Sequence, residues 1–204
     1  LLAILELDLI FAEQINIALS QKTKHQYNNV IAISRMTFLT KNKDYGQSWR
    51  IMRPGSIADQ ILIKATRIRN IETSGVQKIN EGIEQEFIGI INYCIMGLIQ
   101  LNPEYTGTEP IEEDVLLKAY DATVSNVFDL MLAKNHDYGE IWRNMLVSTF
   151  TDMILMRIKR IQQILQNGGK TLASEGIESN FMDIMNYAVF ALIKLEEQRQ
   201  EKTI

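Results

Sequence analysis

Lys41-Asn42-Lys43-Asp44-Tyr45-Gly46-Gln47-Ser48-Trp49-Arg50-Ile51-Met52 returns 93 residues later as Lys134-Asn135-His136-Asp137-Tyr138-Gly139-Glu140-Ile141-Trp142-Arg143-Asn144-Met145. Eight of the twelve positions agree. At the same offset, Asp59, Ile61, Arg67, Ile68 and Gly75 match Asp152, Ile154, Arg160, Ile161 and Gly168. One inserted residue later, Glu81-Gly82-Ile83-Glu84, Phe87, Ile90 and Asn92-Tyr93 match Glu175-Gly176-Ile177-Glu178, Phe181, Ile184 and Asn186-Tyr187. The period is too long for a solenoid repeat, so each copy is a subdomain rather than one turn of a superhelix.

Apolar residues recur at helical spacing almost everywhere, and the alternation of a strand is missing. The pattern predicts an all-α protein: two tandem helical repeats packed as a pseudo-two-fold helical bundle. Residues 1–21 read as an N-terminal helix with no counterpart. Residues 22–102 form repeat one, 103–112 a linker, 113–196 repeat two and 197–204 a charged tail. Three helices are expected per repeat. The first ends near Lys41 or Lys134, with Gly46 or Gly139 in the turn. The second starts after Ser56 or Thr149, where Ser56-x-x-Asp59 and Thr149-x-x-Asp152 fit a capping box. The third runs from about Glu81 to Leu101 and from about Glu175 to Leu195.

Composition narrows the function. The 204 residues are 46% hydrophobic, which supports a substantial core, and the net charge is -4. Basic residues form no run, which argues against a nucleic-acid-coating protein. The single Cys94 excludes an internal disulfide and a cysteine zinc site. His25 and His136 do not match each other, which argues against a histidine-based centre. No apolar run reaches the ~18 residues of a membrane span. No signal peptide is read in residues 1–12, so a cytoplasmic location is expected. The chain does not begin with Met, and its natural start is expected upstream.

The second helix is apolar nearly all round and is expected to be central, yet it carries Lys64 and Arg67, and in repeat two Arg157 and Arg160. Pairs spaced by three share a helix face. Their expected partners are on the third helix: Glu81, Glu84 and Asn92, with Glu175, Glu178 and Asn186 in repeat two. The pairings anticipated are Arg67 with Glu84 and Arg160 with Glu178. Two readings are open. One is an internal ion-pair network. In the other, carboxylates hold Mg²⁺ while Lys and Arg hold phosphate oxygens of an anionic ligand. The loop residues Lys41, Asp44, Tyr45 and Trp49, with Lys134, Asp137, Tyr138 and Trp142, suggest an aromatic platform for a base beside cations for phosphates. The bland alternative for them is a turn with packed aromatics.

These motifs resemble the nucleotide modification associated domain 1 family, over about residues 22–196. Tandem-repeat members are uncharacterised bacterial proteins, and phage relatives occur near DNA-base modification genes. The resemblance implies a nucleotide ligand by association. The helical layout is also similar to MazG-type all-α nucleotide pyrophosphohydrolases, which bind Mg²⁺ through acids on neighbouring helices. That likeness is partial. Neither repeat has the Glu-Glu-x-x-Glu helix, and Glu112-Glu113-Asp114 has no counterpart. Asp183 is the best match to the later acid, and repeat one has Gly89 there. The expected function is therefore nucleotide binding, extending to Mg²⁺-dependent pyrophosphohydrolysis if repeat two keeps Glu175, Glu178 and Asp183 as metal ligands. The rival is a non-enzymatic interaction or scaffold module. Fusion of the two repeats replaces a homodimer interface by an internal one, with further homodimerisation left open.

Overall fold

The computed structural model describes residues 2–79 and 81–202, with side chains from residue 20 onward. Six α-helices follow one another: α1 (Leu2–Tyr45), α2 (Pro54–Ser74), α3 (Ile83–Leu101), α4 (Glu113–Tyr138), α5 (Val147–Gln166) and α6 (Ile177–Glu201). Among the described residues there is no strand. The two repeats are thus α1–α3 and α4–α6, each joined by a short 3-10 turn at Ser48–Ile51 and Ile141–Asn144. The N-terminal segment read as a separate helix continues into α1 without a break at residue 21.

Two boundaries differ from the sequence reading for identifiable reasons. The first helices run on to Tyr45 and Tyr138. They stop at Gly46 and Gly139, whose φ values of 66° and 65° are left-handed and suit a residue without a Cβ. The second helices start earlier than Ser56 and Thr149. Pro54 occupies the first turn of α2 after an extended Arg53, and α5 starts after an extended Leu146. Neither hydroxyl caps a helix. Asp59 instead accepts from Gln162 at 3.2 Å, and Asp152 pairs with Arg69 at 2.9 Å. Arg69 and Gln162 are themselves equivalent positions. These contacts are therefore one reciprocal pair across the α2–α5 interface.

The central helices are α3 and α6, not α2 and α5. On α3, Phe87, Ile90, Ile91, Cys94, Ile95 and Ile99 are all buried. On α6, Phe181, Ile184, Met185, Ala188, Val189 and Ala191 are fully buried. By contrast Ile63 of α2 and Met156 of α5 face solvent. Helices α2 and α5 pack on α3 and α6 and against each other, while α1 and α4 each pack on both α3 and α6.

At the centre lies a polar crossover. Asn92 on α3 donates to the Ser34 carbonyl of its own repeat and accepts from the Tyr120 hydroxyl of the other. Asn186 on α6 donates to the Val127 carbonyl and accepts from the Tyr27 hydroxyl. Tyr27 and Tyr120 are equivalent, as are Ser34 and Val127, so the arrangement obeys the internal two-fold. Burial pushes both tyrosine hydroxyls well above their usual pKa, so they stay protonated and donate. A polar network this buried is tolerable because each of these groups has a partner.

Arg50 and Arg143, retained in both copies, clasp the chain. Arg50 is 2% exposed and donates to Gln100 (2.5 Å) and to the carbonyls of Tyr105 (2.6 Å) and Glu109 (3.1 Å). Arg143 reaches Glu140, Glu197, Thr23 and Gln26. Arg50 so fastens its 3-10 turn to the chain that leads into α4, and Arg143 fastens its turn to the middle of α1. Lysine cannot reproduce a fork with three separate acceptors. Arg50→Lys is expected to lower stability by about 1–2 kcal/mol, the worth of one or two lost charged hydrogen bonds. Urea unfolding measures it, and an unchanged midpoint would show the clasp to be idle.

Candidate functional site: the cleft of repeat one

The C-terminal end of α1, one face of α2 and the N-terminal half of α3 enclose a cavity of about 390 Å³. Lys41, Tyr45, Lys64, Glu81, Asn92 and Tyr93 border it, all marked by the sequence comparison. Glu86 also lines it and was not marked. This acid is buried and accepts from Lys64 Nζ at 3.0 Å and Arg67 Nη1 at 2.5 Å. Arg67 Nη2 also donates to the Glu81 carbonyl at 2.8 Å, fixing the segment that leads into α3. Burial and the neighbouring Tyr93 push the Tyr45 hydroxyl upward, so it remains a donor. Lys41 stands exposed at the edge of the cavity and makes no salt bridge.

Repeat two solves the same electrostatic problem differently. Asp183 takes the position of Gly89 and is only 3% exposed. Lys134, the counterpart of Lys41, forms an ion pair with it. Arg157, the counterpart of Lys64, places Nη2 2.5 Å from Asp183 Oδ2, an ionic contact not aligned as a hydrogen bond. Asn180 stands where repeat one has Glu86 and accepts from Arg157 at 3.4 Å. One carboxylate per repeat has therefore moved by one helical turn. In repeat two it bridges both cations. In repeat one it serves Lys64 and Arg67 and leaves Lys41 free. The space for the difference comes from Gly89. A Cβ built there would sit 2.7 Å from Lys64 Cε, because the lysine stem lies where Asp183 projects in the other copy.

Other expected site residues lie elsewhere. Arg67 pairs with Glu86 rather than Glu84, which sits 2.9 Å from Arg199 on another face. Arg160 is exposed and has no contact with Glu178, which borders a separate groove beside Thr123 and Asn126. Glu175 is 60% exposed and only brushes Arg157 at 3.6 Å. The acids expected to hold Mg²⁺ thus point to different surfaces, and Asp183 is already committed to two cations. Among the described residues, no group of three or more His, Cys, Asp and Glu is placed to hold a metal ion.

Both tryptophans lie in the interior. Trp49 and Trp142 are 6% and 4% exposed. Trp142 is sandwiched between Phe190, stacked at 4.2 Å, and the Arg143 guanidinium at 4.3 Å. Burial of an apolar ring against a fixed cation explains why Trp-Arg persists in both copies. Asp44, Asp137 and Tyr138 are exposed, and Asp137 lies 3.1 Å from His136. Asn186 and Asn92 belong to the crossover, although Asn92 also borders the cleft. Two signals for the missed residues were present in the sequence. Tyr27 and Tyr120 share the 93-residue offset, and Glu86 with Asp183 differ by a helical turn across the copies.

A duplicated all-α chain with an open polar cleft in one repeat, and an aspartate at the equivalent place in the other, is the class that fold and site define. The model of the nucleotide modification associated domain 1 family matches twice, at residues 41–101 and 134–195. The chain belongs to that family, as a tandem repeat. No curated protein and no solved structure matches it significantly, and the likeness to MazG-type enzymes gains no support there. Among the described residues, no helix is long and apolar enough to cross a membrane.

Proposed function

We propose that the chain binds a phosphate-bearing nucleotide in the cleft of repeat one, while repeat two is a closed structural counterpart. The observation that carries this reading is the Asp183 carboxylate. In repeat two that anion lies between Lys134 and Arg157. In repeat one the equivalent cations are Lys41 and Lys64, and the equivalent backbone position is a glycine beside an open cavity. Asp183 is in effect a built-in stand-in for a ligand anion: it meets an ammonium and a guanidinium, and a phosphate oxygen would meet the Lys41 and Lys64 ammonium groups at the equivalent positions. The family's link to nucleotide modification supplies the ligand class.

The donor set supports binding over pyrophosphohydrolysis, because no pair of uncommitted carboxylates faces the cleft. Mg²⁺ would enter, if at all, on the ligand's own phosphates, with Glu81 as the nearest exposed acid. The scaffold reading fits repeat two, whose charges are mutually satisfied.

A thermal-shift panel of nucleotides, with and without Mg²⁺, tests the proposal. A ligand at ~100 times its dissociation constant adds about 2.7 kcal/mol of stability. No shift with any nucleotide would overturn the reading. Lys41→Gln should weaken binding about tenfold, the value of one charge-assisted contact, with no change in the melting temperature of the free protein. Calorimetric titration of the variant decides that point.

A further inference from the structure

We infer that the cleft of repeat one is matched to a nucleoside monophosphate and discriminates against the di- and triphosphate. This rests on the nucleotide reading and adds the number of phosphates. Three observations carry it.

The first is charge. The ionised groups bordering the cavity are Lys41 and Lys64 against Glu81 and Glu86, so its lining carries no net charge. Glu86 already holds Lys64 and Arg67. That leaves Lys41 as the uncommitted cation of the lining, enough to anchor one anionic group beside the Glu86-bound Lys64. A second or third phosphate finds no uncommitted cation and is pushed against the two carboxylates. Like charges brought together in this way oppose binding.

The second is the internal comparison. In repeat two a single carboxylate engages both cations. The pair of cations is therefore dimensioned for one anionic centre, not for a chain of phosphates.

The third is size and wall chemistry. A cavity of about 390 Å³ lies at the small end of the ~300–1,000 Å³ found for small-molecule sites. Beyond the lysines its border includes the rings of Tyr45 and Tyr93 and the side chain of Met96, which a flat base could meet.

Isothermal titration of the full chain with the four common deoxynucleoside monophosphates, and with the di- and triphosphates of the same bases, tests the assignment. The expected result is a monophosphate that binds at least tenfold more tightly than its triphosphate, with and without Mg²⁺, and more tightly than the bare nucleoside. Glu81→Gln removes an exposed carboxylate and should narrow the gap between mono- and triphosphate while leaving the melting temperature unchanged. A triphosphate that binds as tightly as the monophosphate in either condition overturns the assignment but leaves nucleotide binding intact. A nucleoside that binds as tightly as its monophosphate removes the phosphate anchor and overturns it too. If nothing binds, both this inference and the nucleotide reading fail together.

Discussion

Gly89→Asp is expected to abolish nucleotide binding, with a loss of at least about 100-fold, or roughly 2.8 kcal/mol. The substitution copies residue 183 of the other repeat. Its carboxylate would settle between Lys41 and Lys64, neutralise both and occupy the place of the phosphate. The new Cβ meets only the flexible end of Lys64. Arg157, at the equivalent position in repeat two, already packs beside such an aspartate. Position 89 lies inside α3, where replacing glycine reduces the freedom of the unfolded chain. That gain offsets the displacement of Lys64 by the new Cβ, so the melting temperature should change far less than the affinity. Gly89→Ala is the control. It displaces the Lys64 stem in the same way without adding charge, and should lose far less affinity than the aspartate. If the aspartate variant binds as the wild type does, Asp183 is not a model for the ligand, and the proposed site is wrong.

Asp183→Asn should destabilise the ligand-free protein by about 3 kcal/mol, the low end for breaking a buried ion pair. The low end applies because Lys134 is 39% exposed and can turn to solvent, whereas Arg157 is only 14% exposed. An amide leaves that guanidinium facing a second cation, with only the exposed Glu175 at 3.6 Å as counter-charge. For a chain of this size the loss corresponds to a fall of roughly 6–12 °C in melting temperature. Nucleotide affinity should be unchanged, since the open cleft is in the other repeat. A melting temperature within a degree of wild type would mean that the ion pairs of repeat two contribute nothing. A loss of nucleotide affinity in a folded variant would place the ligand in repeat two after all.

The duplication was enough to read the fold. The matched stripes of Phe87, Ile90, Phe181 and Ile184 located two copies of a core helix. Which helix lies at the centre was not legible, because apolar content alone does not separate α2 from α3. Ile63 and Met156 are apolar and exposed. The capping boxes at Ser56 and Thr149 failed because a local pattern competes with distant partners. Asp59 and Asp152 are retained for the α2–α5 contact, which no window of neighbouring residues reveals. The site was half legible. Lys41, Tyr45 and Asn92 were marked by their repetition and Lys64 as a cation in an apolar helix, and the four border one cavity. Glu86 escaped because position-by-position comparison sets it against Asn180 and reads a loss. Residues three apart on a helix are spatial neighbours, so an acid can shift by one turn and keep its role. Trp49 and Trp142 persist in a polar loop, yet both rings are interior, a placement that no local pattern reveals.

The crossover of Asn92 with Tyr120 and Asn186 with Tyr27 has a consequence for how the chain is made. The Tyr27–Asn186 hydrogen bond spans 159 residues, and Gln26 meets Glu197 across 171. During synthesis α1 and α3 leave the ribosome long before α6 exists. Repeat one must wait with the apolar face of α3 uncovered and Asn92 without its tyrosine. Contacts of such sequence separation form late and leave intermediates open to association. A waiting repeat one also carries both Tyr27 and Asn92, the two halves of the lock. The partner that fits it best before repeat two emerges is therefore another nascent copy on the same message. Correct folding of this duplicated chain is a race between its own second half and its neighbour's first.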